Sequence, residues 1–129
     1  MALSDRKRHI YCLISDGECS EGSIWESLRI IEDNMINNLI VIVSVNGYGA
    51  YDTISSKKLK RRLSGFGLHL VEINGHSPSE IKKALLTRSK RPLLVFANTT
   101  SEQLPFLVGQ NAHYYSMDGN LDLAMEVFS

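Results

Sequence analysis

Four short apolar runs in this 129-residue chain each give way to a small acid or amide, Asp16, Asn46, Asn74 and Asn98. If the runs are strands of one parallel sheet, these residues open the loops beyond the strands' carboxyl ends, where open α/β sheets bind ligands. Asp16 and Asn46 follow consecutive runs. Should those strands be neighbours, one carboxylate and one carboxamide oxygen emerge together, a donor pair suited to a hard cation. Magnesium takes about six oxygen ligands and draws few of them from protein when a phosphate and water supply the rest. A carbonyl from the turn Gly47 to Gly49 would then complete the protein's share. Gly17 lets a phosphate approach the backbone, and the helix that follows lends its positive end. Asp, Asn and Gly also end strands for turn reasons alone, so spacing leaves both readings open.

The elements that must position these residues alternate along the chain. His9 to Ile14 reads as a buried strand stopped by Ser15-Asp16-Gly17. Ser23 to Ile36 carries Ile24, Leu28, Ile31 and Met35 at helical spacing, with Ser23 and Glu26 spaced as a capping box. Trp25, Ile30 and Ile36 widen its apolar surface, which implies cover on more than one side. Leu39 to Val45 is β-branched and apolar, as a central parallel strand should be. Ser56 to Leu63 reads as a basic helix, Leu68 to Ile73 as a third strand, and Leu93 to Ala97 as a fourth after Pro92. Between the last two, Ser77, Pro78 and Glu80 start a helix that runs to about Arg88. The period is lost from Thr99 to Ser116, and Leu121 to Phe128 is a short amphipathic candidate helix. Strand and helix alternating in this way predict an α/β fold with a mainly parallel sheet.

Composition sets the outer limits. The length suits one domain with a proper core, and 43% hydrophobic residues mark a folding chain. Fourteen basic residues cancel fourteen acidic ones, so no overall field favours nucleic acid or an anionic membrane. No apolar run approaches the roughly 20 residues of a membrane helix, and no secretory signal is visible, which places the expected protein in the cytoplasm. Two cysteines, Cys12 and Cys19, read as free thiols.

Several of these segments, taken in order, carry a specific resemblance. Asp16-Gly17-Glu18, Ser20-Glu21-Gly22-Ser23-Ile24-Trp25-Glu26, Asn38-Leu39-Ile40 and Asn46 resemble the thiamine-diphosphate motif of transketolases. That motif runs from Gly-Asp-Gly-Glu through Glu-Gly-x-x-Trp-Glu to an Asn thirty residues after the Asp, the interval from Asp16 to Asn46. Phe66-Gly67, Asn74-Gly75-His76, Arg91-Pro92 and Ala97-Asn98-Thr99 continue the match, dense over residues 8 to 100 and loose over 101 to 128. The resemblance implies a single truncated diphosphate-binding domain over 1–129, a three-layer α/β/α unit with about four strands.

By that resemblance, Asp16 and Asn46 ligate magnesium, or calcium in its place, through their side chains, Tyr48 does so through its carbonyl, and Gly17 faces the diphosphate. Glu21 and Glu26 match interface glutamates that couple two cofactor sites. From the residues alone, Glu21 is a helix-start carboxylate and Glu26 half of a capping box. His113, between Ala112 and Tyr114, is similar to a family histidine that approaches diphosphate or substrate; a solvated loop histidine is the plainer reading. The departures are Ser15 for a glycine, Ser44 for an aspartate, and Thr99-Thr100-Ser101-Glu102-Gln103-Leu104 where the family has Thr-x-Lys-Gly-x-Gly. The family's upstream half and its pyrimidine-binding domain, whose glutamate activates the cofactor, have no counterpart in these residues, so no catalytic residue is assignable.

The resulting expectation is a thiamine-diphosphate and magnesium module of a ketol-transfer enzyme for sugar phosphates, inactive alone and completed by a separate pyrimidine-binding chain. A homodimer is expected as well, because the family's sites lie between chains and the Trp25 helix is broadly apolar. The alternative is a non-catalytic binding or interaction module that keeps only the α/β core. Lys57, Lys58, Lys60, Arg61 and Arg62 raise nucleic-acid binding, but with no aromatic platform the run reads as a solvated helix face. Gly47-Tyr48-Gly49 and Gly65-Phe66-Gly67 lack the third glycine of a dinucleotide loop, and no nucleophile motif occurs.

Overall fold

The two most apolar, β-branched segments take the centre of the sheet. In the computed structural model, which describes residues 4–5, 7–49, 52–108 and 119–128, Leu39–Val45 (β2) and Leu93–Asn98 (β4) pair in parallel, flanked by Ile10–Ser15 (β1) and His69–Asn74 (β3). All pairings are parallel and the order is β1-β2-β4-β3. The sheet is α/β as expected, and β1 and β2 are indeed neighbours, with Ser15 opposite Ser44.

The connections explain the layers. Gly22–Asp33 (α1) joins β1 to β2 and Ser56–Ser64 (α2) joins β2 to β3, both in one direction across the sheet, whereas Pro78–Leu85 (α3) returns from β3 to β4. Crossovers are right-handed almost without exception, so a reversed direction puts the helix on the opposite face. Accordingly Leu28, Ile31, Leu59 and Leu63 pack with Val41, Val43, Leu94 and Phe96, while Ala84 packs with Ile40, Leu93, Val95 and Ala97. Leu121–Phe128 (α4) forms where the sequence placed a helix. Among the described residues no helix is long and apolar enough to cross a membrane.

The structure corrects two sequence readings. First, β1 is not buried: as an edge strand it leaves Tyr11 51% and Leu13 69% exposed, and Cys12 is exposed too. Second, the Ser23–Glu26 capping box does not form. A 3-10 turn at Glu18–Ser20 delivers the chain so that Glu21 is the N-cap, with no side-chain cap bond. The helix also ends before Ile36, because Met35 turns left-handed at φ 47°; Ile36 then reaches the core from outside the helix. The basic run is a solvated helix face as read, with Lys57, Lys58, Arg61 and Arg62 exposed. Lys60 pairs with Glu72 of β3, and Lys58 and Arg62 border a cleft between α1 and α2.

The start of α3 forms as read, with Ser77 Oγ accepting the Glu80 N–H and Pro78 in the first turn. The Glu80 carboxylate, however, accepts from the Asn74 N–H at 2.8 Å and so ties the helix to the end of β3. Asn38, buried before β2, donates to the carbonyls of Asp5 and Arg8, both at 3.0 Å, and fixes the segment entering β1.

Candidate functional site

Asp16 is the first residue past β1, where its N–H still donates to the Ser44 carbonyl of β2 at 2.9 Å. That last rung of the ladder turns the side chain inward, and the residue is only 2% exposed. One carboxylate oxygen accepts the Gly17 N–H at 3.1 Å and the other the Gly47 N–H at 2.7 Å. Among the described residues no lysine, arginine or histidine forms an ion pair with it. A buried carboxylate is costly to desolvate, and two backbone dipoles satisfy hydrogen bonds without cancelling the charge.

The turn after β2 is shaped to meet it. Gly47 has φ 84°, a conformation that disfavours side chains, and thereby aims its N–H at Asp16. Ile54 N–H donates to the Gly47 carbonyl at 2.7 Å, Gly49 N–H to the Asp52 carbonyl at 2.8 Å, and Tyr48 bridges Thr53, so the turn is braced from behind. Asn46 is exposed, and its side-chain oxygen accepts the Tyr48 N–H at 2.9 Å. A carboxamide oxygen has two lone pairs, and this bond takes one.

Asp16, Gly17, Asn46 and Tyr48 therefore line one open cleft of about 320 Å³, together with Glu21, Ser15 and Ser44. Glu26 lies on α1, exposed and away from the cleft lining. His113 lies outside the described residues. The cleft presents a carboxylate, a carboxamide oxygen and backbone carbonyls, which are hard donors for a small cation. Among the described residues no group of three or more His, Cys, Asp and Glu could hold a metal by themselves.

Sequence reasoning missed several braces of this corner. The Glu18 carboxylate accepts from both the Ser15 N–H at 2.7 Å and the Ser15 hydroxyl at 3.0 Å, closing the turn after β1. Ser44 Oγ lies 3.3 Å from Thr99 Oγ1, linking the ends of β2 and β4. His76 Nε2 accepts the Thr100 N–H at 2.9 Å and joins the loop after β3 to the loop after β4. The last two join the ends of separate strands and depend on strand order, which no motif carries, whereas the Ser15–Glu18 bonds close within three residues. Cys19 is buried beside the site, and burial first, then the charges of Asp16 and Glu18, push its thiol up to about 11. The thiolate, the nucleophilic form, is thereby disfavoured at neutral pH.

Known proteins resemble the chain in sequence and in fold. No family model matches the chain. A transketolase of Pongo abelii is 34% identical over 94 residues, 70% of this chain and 15% of that protein. One subunit of the apulose-4-phosphate transketolase of Actinobacillus succinogenes is 29% identical over 133 residues, 95% of this chain and 48% of that protein. The crystal structure of the Campylobacter jejuni transketolase superposes with a TM-score of 0.69 at 29% identity, covering 78% of this chain and 17% of that one. The chain thus spans about a sixth of the transketolases it matches and about half of the Actinobacillus protein. On sequence and fold together, it belongs to the transketolase family.

Proposed function

We propose that the corner at Asp16 holds magnesium and, through it, the diphosphate of thiamine diphosphate, as part of a ketol-transfer enzyme acting on sugar phosphates. The observation that carries this reading is the buried Asp16 carboxylate, 2% exposed and without a cationic side-chain partner among the described residues. A divalent ion would supply the missing counter-charge. The donor set fits: Asp16 and Asn46 would contribute side-chain oxygens and Tyr48 its carbonyl, with calcium an acceptable substitute. Gly17, without a side chain, leaves the diphosphate room. When bound, the cofactor supplies the carbanion chemistry at its thiazolium carbon.

This chain's own residues bind and orient. Gly17 and Gly47 N–H hold the Asp16 carboxylate in a single orientation before any ion arrives, so little reorganisation accompanies binding. Glu21 borders the same cleft, in keeping with a role in coupling paired sites, whereas Glu26 is exposed on α1 outside the cleft, and a role for it would lie at an interface. We propose a homodimer in the cytoplasm and a separate pyrimidine-binding chain; the Actinobacillus relative, itself named as one of a transketolase's subunits, supports a divided enzyme. One observation favours the non-catalytic reading. The loop after β4 has no lysine between Thr99 and Leu104, and Thr100 N–H is committed to His76, so that loop offers little grip on a diphosphate.

Isothermal titration of thiamine diphosphate, with and without magnesium, decides between them. Magnesium-dependent heat that is lost in Asp16→Ala is the expected result. No heat up to millimolar cofactor in the intact protein overturns the cofactor reading and leaves the interaction module.

A further inference from the structure

A second cleft, on the other side of the turn that carries Asp16, has chemistry that the cofactor corner does not use. It measures about 450 Å³ and lies between the start of α1 and the start of α2. Lys58 and Arg62, one turn apart on α2, border it, together with the hydroxyl residues Ser20, Thr53 and Ser55 and the indole of Trp25. Asp16 is the one carboxylate among the described lining residues, and both its oxygens already accept backbone N–H groups.

The cations are the informative part. Of the five basic residues of α2, Lys60 is paired with Glu72, while Lys58 and Arg62 form no ion pair among the described residues. Like charges at this spacing repel. Lys57 and Lys58 also sit at the positive end of a helix with no acidic residue in its first turn. The helix thus gathers uncompensated positive charge beside a cavity. Ser55 Oγ accepts the Lys58 N–H, which leaves its own proton to donate elsewhere. A guanidinium fork, an ammonium and several hydroxyls form the donor set that recognises a tetrahedral dianion.

We propose that this cleft binds a small phosphomonoester, with the phosphate at Lys58 and Arg62 and the organic body against Trp25 and Ile54. The cavity volume suits a metabolite of a few carbons rather than a polymer strand. The proposal is independent of the cofactor reading, since it needs neither magnesium nor thiamine diphosphate.

Trp25 is the chain's one tryptophan, so its emission reports on this cleft. The protein is titrated in EDTA with inorganic phosphate, then with glycerol 3-phosphate against glycerol, and with sodium chloride at matched ionic strength. A saturable response to both phosphates, and none to glycerol or chloride, is expected. Lys58→Met and Arg62→Gln should each weaken it about tenfold, as loss of a charge-assisted bond does. Lys57→Met, an exposed cation outside the lining, should leave it unchanged. Equal weakening by all three variants overturns the proposal in favour of diffuse charge. So does a response that Asp16→Ala abolishes but Arg62→Gln spares, which would move the phosphate to the cofactor corner. A response to duplex DNA but not to glycerol 3-phosphate also overturns it.

Discussion

Gly75, just past β3, is the position where one added carbon should do most damage. A Cβ there would lie 2.5 Å from Thr99 Cγ2 and 2.9 Å from the Asn98 carbonyl oxygen, to which Gly75 N–H itself donates at 2.7 Å. The first neighbour can shift with its side chain; the second is backbone at the end of a central strand and cannot rotate away. Overpacking of this kind costs about 1–3 kcal/mol. With an unfolding entropy of about 2.1 cal/mol/K per residue, 129 residues give about 0.27 kcal/mol/K, so Gly75→Ala should lower Tm by about 4–11 °C. Calorimetric melting measures this directly. Thr99→Ser removes Cγ2 while keeping the hydroxyl that lies 3.3 Å from Ser44 Oγ, so the double variant should recover part of the loss. A drop below about 1 °C, or strict additivity of the two changes, would refute the contact argument.

Other expectations can be checked on the same protein. Ser77→Ala should cost about 1 kcal/mol in denaturant melts because it removes a working cap, and Ser23→Ala should cost clearly less because Ser23 caps nothing; equal losses would restore the capping-box reading. The Lys60 and Asn98 hydrogen bonds hold the Glu72 carboxyl below its ordinary 4.5, so their stabilisation is full above that pH and is lost as pH falls through the lower folded value. Lys60→Met should therefore flatten the acid limb of the stability curve, by at most about 1 kcal/mol for so exposed a pair. Iodoacetamide at neutral pH should label Cys12 and spare Cys19, with both labelled in denaturant, as peptide mass spectra would show.

Local pattern was enough for β2, β4, α2 and the start of α3, because burial on both faces, helical period and a Ser-Pro cap are each written within a few residues. It failed for β1, where Tyr11, Cys12 and Leu13 are as apolar as any central strand. Only the directions of the crossovers make β1 an edge, and direction is a property of the whole chain. The end of α1 failed for a related reason. Ile36 continues the apolar period and is buried, yet it enters the core after the chain has turned at Met35. Burial and helical continuity agree in most sequences, and here they separate.

For the site, residue identity was legible and residue commitment was not. Spacing put Asp16 and Asn46 just after consecutive strands; those strands pair, and both residues border one cleft. Spacing could not show that Gly47 donates into Asp16, or that Asn46 turns back on the Tyr48 N–H. Those two bonds have opposite consequences for a cation. The first fixes the carboxylate and strengthens its claim as a ligand. The second must share the carboxamide oxygen with any ion, so Asn46→Asp, which adds charge without changing shape, should tighten magnesium binding more than Asn46→Ala loosens it. Calorimetric titration of magnesium into the two variants tests the point. A larger effect of the alanine change would refute the sharing of the carboxamide oxygen with the Tyr48 N–H.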